Sequence, residues 1–543
     1  MKKKLSYFRM FVIAGLLSIT ASCNDYLDEI PDNRTEIDTP EKVALLLTGS
    51  YPEATYAAML NPRVDNVTDK GTGTISDVNR DSYFWREVQN TSSQDTPYYV
   101  WRKMFHSIAG ANGALDAIER LSTTEKVKTQ LAPYKGEALT LRAFGHFILG
   151  AIFCKFYNPE QNDKNLGLPY VVEQETTINT QYDRGTVGQL WANIQADLEA
   201  GLPLIGSNDL YVAPKYHFNK NAAYAFATRF YLYKGETADL QKTVEMANTV
   251  FPQPDVVSGT NVAANDPAAI FAVNNFQPWN TIYQAASSSD DIKLAFAQTS
   301  NPSILLVSDV TSYMGQYTNS WRYATASPDI NRTAGAATPA GAAFGYKVFH
   351  SGEWNYYVPK FRSFFKRTSI SATTGVYHAA YPFFRMEEIL INRAEAYARL
   401  DRYDEAVADL NILCRTRIVN YNESTHLLTL KRITDFYAAT VNDADFYMNK
   451  YNAFGSQSWP VEKKALVHFV LVCRQNEFLH ESLRYWDMIR YKIESVHRTT
   501  YTEGDVENIL YPDDDRWVVQ LPQTVQLAGM ELNPMTNLLS PKW

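Results

Sequence analysis

The pattern of apolar positions is most regular between residues 381 and 417, where it predicts two helices joined by a tight turn. On the first helix, apolar side chains recur every three or four residues and form one face: Met386, Leu390, Ala394 and Tyr397. The pattern breaks at Leu400, and Asp401 is predicted to cap the second helix with its side-chain oxygen. Small Ala394 and Ala406 are expected to let the two helix backbones approach closely.

Comparable helical pairs are predicted on both sides of the middle of the chain. Helices are expected at residues 101–121 and 135–156, 187–202 and 219–235, 239–251, and within 462–493. Such pairs are typical of tetratricopeptide repeats, in which each pair buries its apolar face by stacking on a neighbour; an ordinary helical hairpin is the alternative. We therefore predict a mostly α fold built from tetratricopeptide-like helical pairs. The scaffold is assigned mainly to residues 101–251 and 382–495.

Two stretches lack this helical pattern and are predicted to be long loops, residues 61–97 and the variable region of about 252–381. Long loops in compact proteins tend to be functional. Aromatic residues make up 13% of the chain, with 35 Tyr and 10 Trp, which favours a ligand surface built from flat, semi-polar rings. The candidate ligand-binding residues are Trp85, Arg86, Trp279, Tyr283, Trp321 and Tyr323. Buried packing is the alternative interpretation of each ring. The cluster of Tyr447, Tyr451 and Trp459 is the second candidate for the ligand site.

The N-terminal residues have the pattern of an export signal. A basic start is followed by a short apolar stretch, residues 10–19, and by small residues that lead to Cys23. This resembles a bacterial lipoprotein signal, although Thr20 stands where the usual motif has Leu; an ordinary secretory cleavage site is the alternative. We predict a signal peptide at 1–22, lipidation of Cys23, a lipid-anchored tether at 23–40 and one domain at 41–543. Cleavage removes four positive charges and no acidic residue, so the formal charge changes from −8 to −12.

The remaining chemistry argues against several classes of protein. A formal charge of −8 lacks the basic footprint that a nucleic-acid partner requires. The other three cysteines, Cys154, Cys414 and Cys473, lie in apolar helical contexts and are predicted to be buried, unreactive thiols. The sequence contains no HExxH, GxSxG or P-loop motif and no metal-like Cys/His spacing. We therefore expect no cofactor, no metal and no catalytic residue.

Several motifs follow one another along most of the chain. They are Trp101, Phe105, Ile108 and Asn112 on one helix; Gly136-Glu137-Ala138 and Leu141-Arg142-Ala143; Gly167-Leu168-Pro169-Tyr170; Arg385, Glu388 and Ala394-Glu395-Ala396; and Glu477, Glu481, Arg484, Asp487 and Arg490. In this order they resemble the SusD/RagB family of Bacteroidetes outer-membrane nutrient-binding lipoproteins. Glu387 and Ser482 depart from the family's usual Ala and Gly. The charged residues are interpreted as packing and ion pairs; catalytic carboxylates are the alternative.

The resemblance implies a mostly α scaffold of four tetratricopeptide-like helical pairs supporting a loop-rich ligand-binding face. It also implies a function and a partner. It implies a lipid-anchored protein on the outside of the outer membrane that captures an oligosaccharide. The ligand would then pass to a SusC-like, TonB-dependent transporter, over which the protein sits as a lid. Some members of the family capture oligopeptides instead, so that ligand class is the first alternative. An all-helical glycoside hydrolase is the enzyme-class alternative, and turnover of a bound oligosaccharide would distinguish it.

Overall fold

Helices dominate the computed structural model, which describes residues 36–89, 91, 93–174, 182–251, 279–297, 301–312, 321–351, 355–499 and 508–539. The α-helices are α1 (Pro40–Thr48), α2 (Ala57–Leu60), α3 (Asp77–Tyr83), α4 (Pro97–Leu121), α5 (Glu125–Phe153), α6 (Val187–Gly201), α7 (Lys220–Lys234), α8 (Thr237–Val250), α9 (Trp279–Ala285), α10 (Ser289–Ala297), α11 (Ser327–Arg332), α12 (Met386–Arg399), α13 (Tyr403–Arg417), α14 (Glu423–His426), α15 (Leu430–Asn442), α16 (Tyr447–Lys450), α17 (Val461–Glu477), α18 (Leu483–Tyr491) and α19 (Gln523–Leu527). Short 3₁₀ turns lie at Asn61–Arg63, Leu202–Leu204, Asn208–Leu210, Pro214–Tyr216, Ala453–Ser458 and Asp515–Trp517. The prediction of a mostly α fold is confirmed.

The closest helix contacts in the described part of the chain join α4 with α5, α5 with α6, α7 with α8, α12 with α13, and α15 with α17. Helix α12 lies at the centre of the scaffold, because it also packs against α7, α8 and α17 and all 14 of its residues are buried. The predicted pairing of 187–202 with 219–235 is wrong. Helix α6 packs mainly on α5, and α6 meets α7 through side chains such as the stacked rings of Trp191 and Phe230.

The turn between α12 and α13 differs from the prediction at both ends. Helix α12 begins at Met386 because the residues before it belong to a strand. Asp401 does not cap α13; it has a left-handed backbone, with φ of 61°, and ends α12 instead. The N–H of Arg402 bonds the carbonyl of Tyr397 at 2.9 Å, which satisfies a free carbonyl at the helix end. The Asp401 carboxylate accepts bonds from Tyr403 Oη and Lys463 Nζ at 2.8 and 3.0 Å.

The strands correct the prediction of unstructured loops. They are β1 (Thr68–Asp69), β2 (Ile304–Thr311), β3 (Tyr323–Ala324), β4 (Phe349–Ser351), β5 (Asn355–Tyr357), β6 (Arg362–Arg367), β7 (Gly375–Arg385), β8 (Ser495–Thr499) and β9 (Asn508–Leu510). An antiparallel sheet of order β2-β7-β6 pairs Ser308 with Tyr381. A second sheet has the order β3-β1-β8-β9, with β1 parallel to β8. Strand β2 is almost entirely buried, so it lacks the alternation that marks a half-exposed strand.

The charged residues of the later motifs form a buried ion network beneath α9. Arg385 Nη1 bonds Glu477 Oε1 at 2.7 Å, and Arg417 Nε bonds Glu477 Oε2 at 2.7 Å. Glu387 and Glu481 accept further bonds from the same two arginines. These arginines hold the pKa of Glu477 far below its usual value despite burial, which by itself raises the pKa. Packing and ion pairing is therefore the correct interpretation of these residues.

Two smaller predictions are confirmed. Cys154, Cys414 and Cys473 are buried free thiols, and burial raises the pKa of the Cys414 thiol to about 12. Ala406 is fully buried, as the predicted close helix contact requires. Within the described ranges, no helix combines the length and the apolar character needed to cross a bilayer. Cys23 and most of the predicted tether lie outside the described residues.

Candidate functional site

Four of the six predicted ligand residues lie in one region, around the sheet β3-β1-β8. Tyr323 begins β3, and Trp321 lies two residues before it and pairs in parallel with Thr74. Trp85 and Arg86 follow α3, which packs on β3. Segments far apart in the sequence therefore meet here, because β1 pairs with β3 on one side and with β8 on the other.

A stack of four rings forms the centre of this region, and we call it the ring column. Its members are, in order, Tyr323, Tyr83, His497 and Trp85. Neighbouring ring centroids lie 4.6, 4.1 and 4.3 Å apart, with interplanar angles of 26°, 7° and 11°. All four side chains are buried. Offset or parallel stacking of this kind stabilises aromatic pairs beyond the apolar area that they bury.

Local sequence explains how α3 delivers two rings to the column. Ser76 caps α3 by accepting the N–H of Asn79 at 3.2 Å. The Asn79 side chain then donates to the carbonyl of Tyr323 at 2.8 Å, which fixes α3 against β3. After the helix ends, Trp85 takes a left-handed backbone with φ of 52° and donates its Nε1–H to the carbonyl of Arg63 at 3.3 Å. A strained backbone held in place by a buried ring is common near functional sites.

A cavity of about 300 Å³ opens beside the Trp85 end of the column. Its apolar walls come from Phe84, Trp85, Val518, Val519, Met535 and Leu538, and its polar groups from Arg63, Arg86, Glu87, Arg516 and Gln520. Phe84 is half-buried and touches Tyr83 and Tyr323 edge-on, at 5.1 and 5.5 Å between centroids. The exposed guanidinium of Arg86 lies 4.9 Å from the Phe84 ring centroid. Apolar walls with a few polar groups are typical of small-molecule sites.

Burial controls the protonation of the column. Desolvation lowers the pKa of His497 to about 3, although its Nε2–H donates to the carbonyl of Val64, 3.2 Å away. Burial likewise raises the pKa of the Tyr83 hydroxyl well above its ordinary value. Both side chains are therefore neutral at pH 7, and the charge of the site is set by the residues around the cavity.

Trp279 and Tyr283 lie elsewhere, in a separate apolar cluster on α9. Their exposed fractions are 1% and 2%, so their rings belong to the packing of the protein. Trp279 stacks on Phe296 at 4.1 Å and donates its Nε1–H to Glu387 at 3.0 Å. These contacts join the cluster to the buried ion network. The structure thus leaves Arg86 exposed and Trp321 half-buried among the predicted residues.

Sequence reasoning missed most of the cavity wall. Phe84 directly precedes the predicted residues Trp85 and Arg86, and this position is the sequence feature that could have identified it. His497 and the lining residues within 516–520 and 535–538 carry no local sequence feature that points to the site. His497 lies on β8, which pairs with β1, and the other residues belong to the C-terminal segment that lines the cavity. Over the described part of the chain, no group of three or more His, Cys, Asp or Glu side chains is placed to hold a metal ion.

Comparisons with known proteins identify the family to which the chain belongs. A family model described as "Starch-binding associating with outer membrane" matches residues 25–232, and a model described as the SusD family matches residues 314–525. The chain belongs to the SusD/RagB family. No curated protein matches it.

Solved structures of the SusD superfamily share the fold. One from Bacteroides vulgatus has a TM-score of 0.62 at 17% identity, covering 91% of this chain and 99% of the other. One from Bacteroides thetaiotaomicron has a TM-score of 0.55 at 16% identity, covering 91% and 100%. A SusD-like carbohydrate binding protein from Bacteroides vulgatus has a TM-score of 0.55 at 15% identity, covering 92% and 97%.

Proposed function

We propose that this protein is a cell-surface lipoprotein that captures an oligosaccharide and delivers it to a SusC-like, TonB-dependent transporter. The observation that carries the proposal is the aromatic-lined cavity beside the ring column, in a chain of the SusD family. An oligopeptide ligand is the second candidate, because a cavity with apolar walls and arginines also suits a peptide.

The chemistry of the cavity suits a sugar. Sugar rings have apolar C–H faces and polar rims, so an aromatic ring binds the face while side-chain N–H groups bind the hydroxyls. Phe84 is a half-buried ring of the cavity wall, Trp321 is a half-buried ring outside the cavity lining, and Arg86 and Gln520 are polar groups at the cavity. The buried ring column supports Phe84 from behind, which holds it in place without ligand. A preorganised site loses less conformational freedom on binding.

The carboxylate content of the cavity lining favours a binding protein over a glycosidase. Glycosidases use two carboxyl groups about 5–10 Å apart across the scissile bond. Among the described residues that line the cavity, Glu87 is the one carboxylate, and it is exposed. We expect no release of reducing sugar from any oligosaccharide that binds. Turnover that survives Glu87→Gln would point to an enzyme with a different site.

The ligand class is tested by calorimetric titration of the purified protein with neutral and acidic oligosaccharides and with oligopeptides. Phe84→Ala and Trp321→Ala are expected to weaken binding of the active ligand by about tenfold or more. Phe436→Ala is the matched control, because Phe436 is an exposed ring on α15. Thermal melting of the same samples separates lost contacts from lost folding. Binding of peptides alone would replace the sugar hypothesis, and wild-type affinity in both variants would move the site elsewhere.

Anchoring and partnership are tested in the cell. We expect a fatty-acid probe to label the wild-type chain and to be lost in Cys23→Ala, with Cys154→Ala as the control, because the Cys154 thiol is buried. Labelling that persists in Cys23→Ala would reject lipidation at this residue. Copurification of a TonB-dependent barrel with the wild-type chain, from membranes solubilised in mild detergent, would support the transporter partner. Its repeated absence would count against the delivery role.

A further inference from the structure

The cavity is small, and charged side chains form part of its lining. Its volume of about 300 Å³ lies at the low end of the range for ligand pockets, about 300–1,000 Å³. It therefore suits one sugar residue, such as a chain end or a side branch, and a longer chain would extend out of the cavity over the surface. The polar groups that this residue would meet include three arginines, Arg63, Arg86 and Arg516.

One of these arginines is neutralised within the protein. Arg516 forms a two-pronged ion pair with Asp514, with Nε–Oδ1 and Nη2–Oδ2 distances of 3.0 and 2.9 Å. The carboxylate of Glu87 lies on the exposed rim and accepts the Gln526 amide at 2.9 Å. Arg516 therefore adds little net charge to the cavity, and the field there depends on Arg63, Arg86 and Glu87.

Arg63 is a buried cation without an acidic partner. It is 3% exposed, and across the described residues no carboxylate oxygen lies within 4.0 Å of its guanidinium. It donates to the backbone carbonyl of Arg516, while its Nε has no hydrogen-bond partner in the described part of the chain. Arg229, by contrast, is equally buried and pairs with Glu388 through two bonds of 2.6 and 2.7 Å. A buried charge normally has such a partner.

Arg86 adds a second cation at the mouth of the same cavity. Its guanidinium is exposed over the Phe84 ring, and the described residues place no carboxylate within 4.0 Å of it. Arginine presents a planar set of donors that matches a carboxylate in two-pronged geometry. The apolar walls of the cavity beside it form a low-dielectric surface, which strengthens the interaction with an anion. Arg86 can contact a ligand directly, whereas Arg63 acts through its field.

We propose that the cavity binds the carboxylate of an acidic sugar residue, a uronic acid, within the captured glycan. The proposal rests on the proposed glycan-binding function and names its ligand class. The negatively charged sugar supplies the acidic partner that Arg63 and Arg86 lack within the described chain, and Phe84 packs against its ring face. A neutral hexose of the same shape offers a hydroxymethyl group in the place of the carboxylate and leaves both cations uncompensated.

The test compares ligands that differ in that group alone. Oligosaccharides of galacturonic and glucuronic acid are titrated beside the same oligosaccharides after chemical reduction of their carboxylates to hydroxymethyl groups. A set of neutral glucose, mannose and galactose oligosaccharides is included. We expect at least one acidic oligosaccharide to bind tenfold or more tightly than its reduced counterpart. Raising the salt concentration should shrink this ratio, because screening weakens charge interactions near the surface.

Variants test whether the preference for the acidic oligosaccharide comes from the cavity. Arg86→Gln should lower the preference for the acidic ligand at least fivefold while leaving the melting temperature unchanged. Arg120→Gln is the matched control, because it removes the same charge from an exposed position on α4 that does not line the cavity. Arg63→Lys keeps the buried charge and should retain the preference, whereas Arg63→Met should lose it. Thermal melting and circular dichroism identify any variant that fails to fold, and Arg86→Gln then decides alone.

The outcomes separate this inference from the proposed function. Tight binding of neutral oligosaccharides with no gain from the carboxylate would overturn the acidic-sugar inference and leave glycan capture standing. Equal loss of preference in Arg86→Gln and Arg120→Gln would also overturn it, because the effect would then be one of overall charge. If no oligosaccharide of either kind binds, both the inference and the proposed function fail.

Discussion

His497 provides a sharp test of the ring column, because its surroundings should make the stability of the protein depend on pH. Burial lowers the pKa of His497 to about 3, so the folded protein keeps this ring neutral in mild acid. In the unfolded chain the same residue titrates near pH 6.5. The unfolded state therefore binds the additional proton, and stability falls as the pH drops below about 6.5. At about pH 4.5 the loss due to His497 alone is about 2–3 kcal/mol.

His497→Phe isolates this contribution. A phenyl ring can keep the stacking between Tyr83 and Trp85, which lie 4.1 and 4.3 Å away, but it cannot take up a proton. The variant also loses the bond at the carbonyl of Val64 and should be about 1 kcal/mol less stable at about pH 8. Its nitrogen Nδ1, which has no partner in the described part of the chain, disappears as well and offsets part of that loss.

The measurement is urea unfolding of both proteins at about pH 8 and about pH 4.5, followed by tryptophan fluorescence. The drop in unfolding free energy between these two pH values should be smaller in His497→Phe by about 2–3 kcal/mol. His106→Phe, on the exposed side of α4, controls for the substitution itself. If His497→Phe loses as much stability as the wild type on acidification, the ring accepts a proton inside the folded protein and the account of the column is wrong.

Three further predictions concern the scaffold. Trp279→Ala should lower the unfolding free energy by about 3–5 kcal/mol, because its buried ring packs on Phe296, and should leave glycan affinity unchanged in calorimetry; a normal melting curve would contradict its burial. Glu477→Gln should cost about 3–5 kcal/mol in urea unfolding, because two buried arginines lose their shared anion; Tyr346→Phe, which removes a single bond to the same carboxylate, should cost far less. Ala406→Trp should lower the unfolding free energy by about 1–3 kcal/mol, and with it the melting temperature, because the added ring overpacks the contact with α12. An unchanged melting temperature would show that this contact can accommodate the larger side chain.

The helical scaffold could be predicted because its signal is local. The faces of α12 and α13 follow from residues three and four apart, which one turn of helix brings together. Strand β2 and the second half of β7 could not be predicted in the same way, because a strand buried on both faces shows no alternation. Strands β2 and β6 and most of β7 therefore fall within the predicted loop region of about 252–381, and the last residues of β7 fall within a predicted helix.

The candidate site could be predicted only in part, for a related reason. Trp85 and Trp279 stand in equally irregular sequence, yet one borders a cavity and the other packs against Phe296. Which ring faces a cavity depends on segments hundreds of residues away, and composition near the ring does not contain that information. Val519 and Leu538 are ordinary apolar residues that become cavity walls because of the position of the C-terminal segment.

The ring column also has a consequence for the order of folding. Thr68 of β1 pairs with Arg498 of β8, and the hydroxyl of Thr68 donates to the carbonyl of Arg498 across 430 residues of sequence. A chain synthesised from its N-terminus cannot close this contact until almost all of it has emerged. Contacts of such long range form slowly, because the intervening chain must first be organised. The cavity should therefore mature after the helical pairs, and during refolding the recovery of ligand binding should lag behind the recovery of helical circular dichroism.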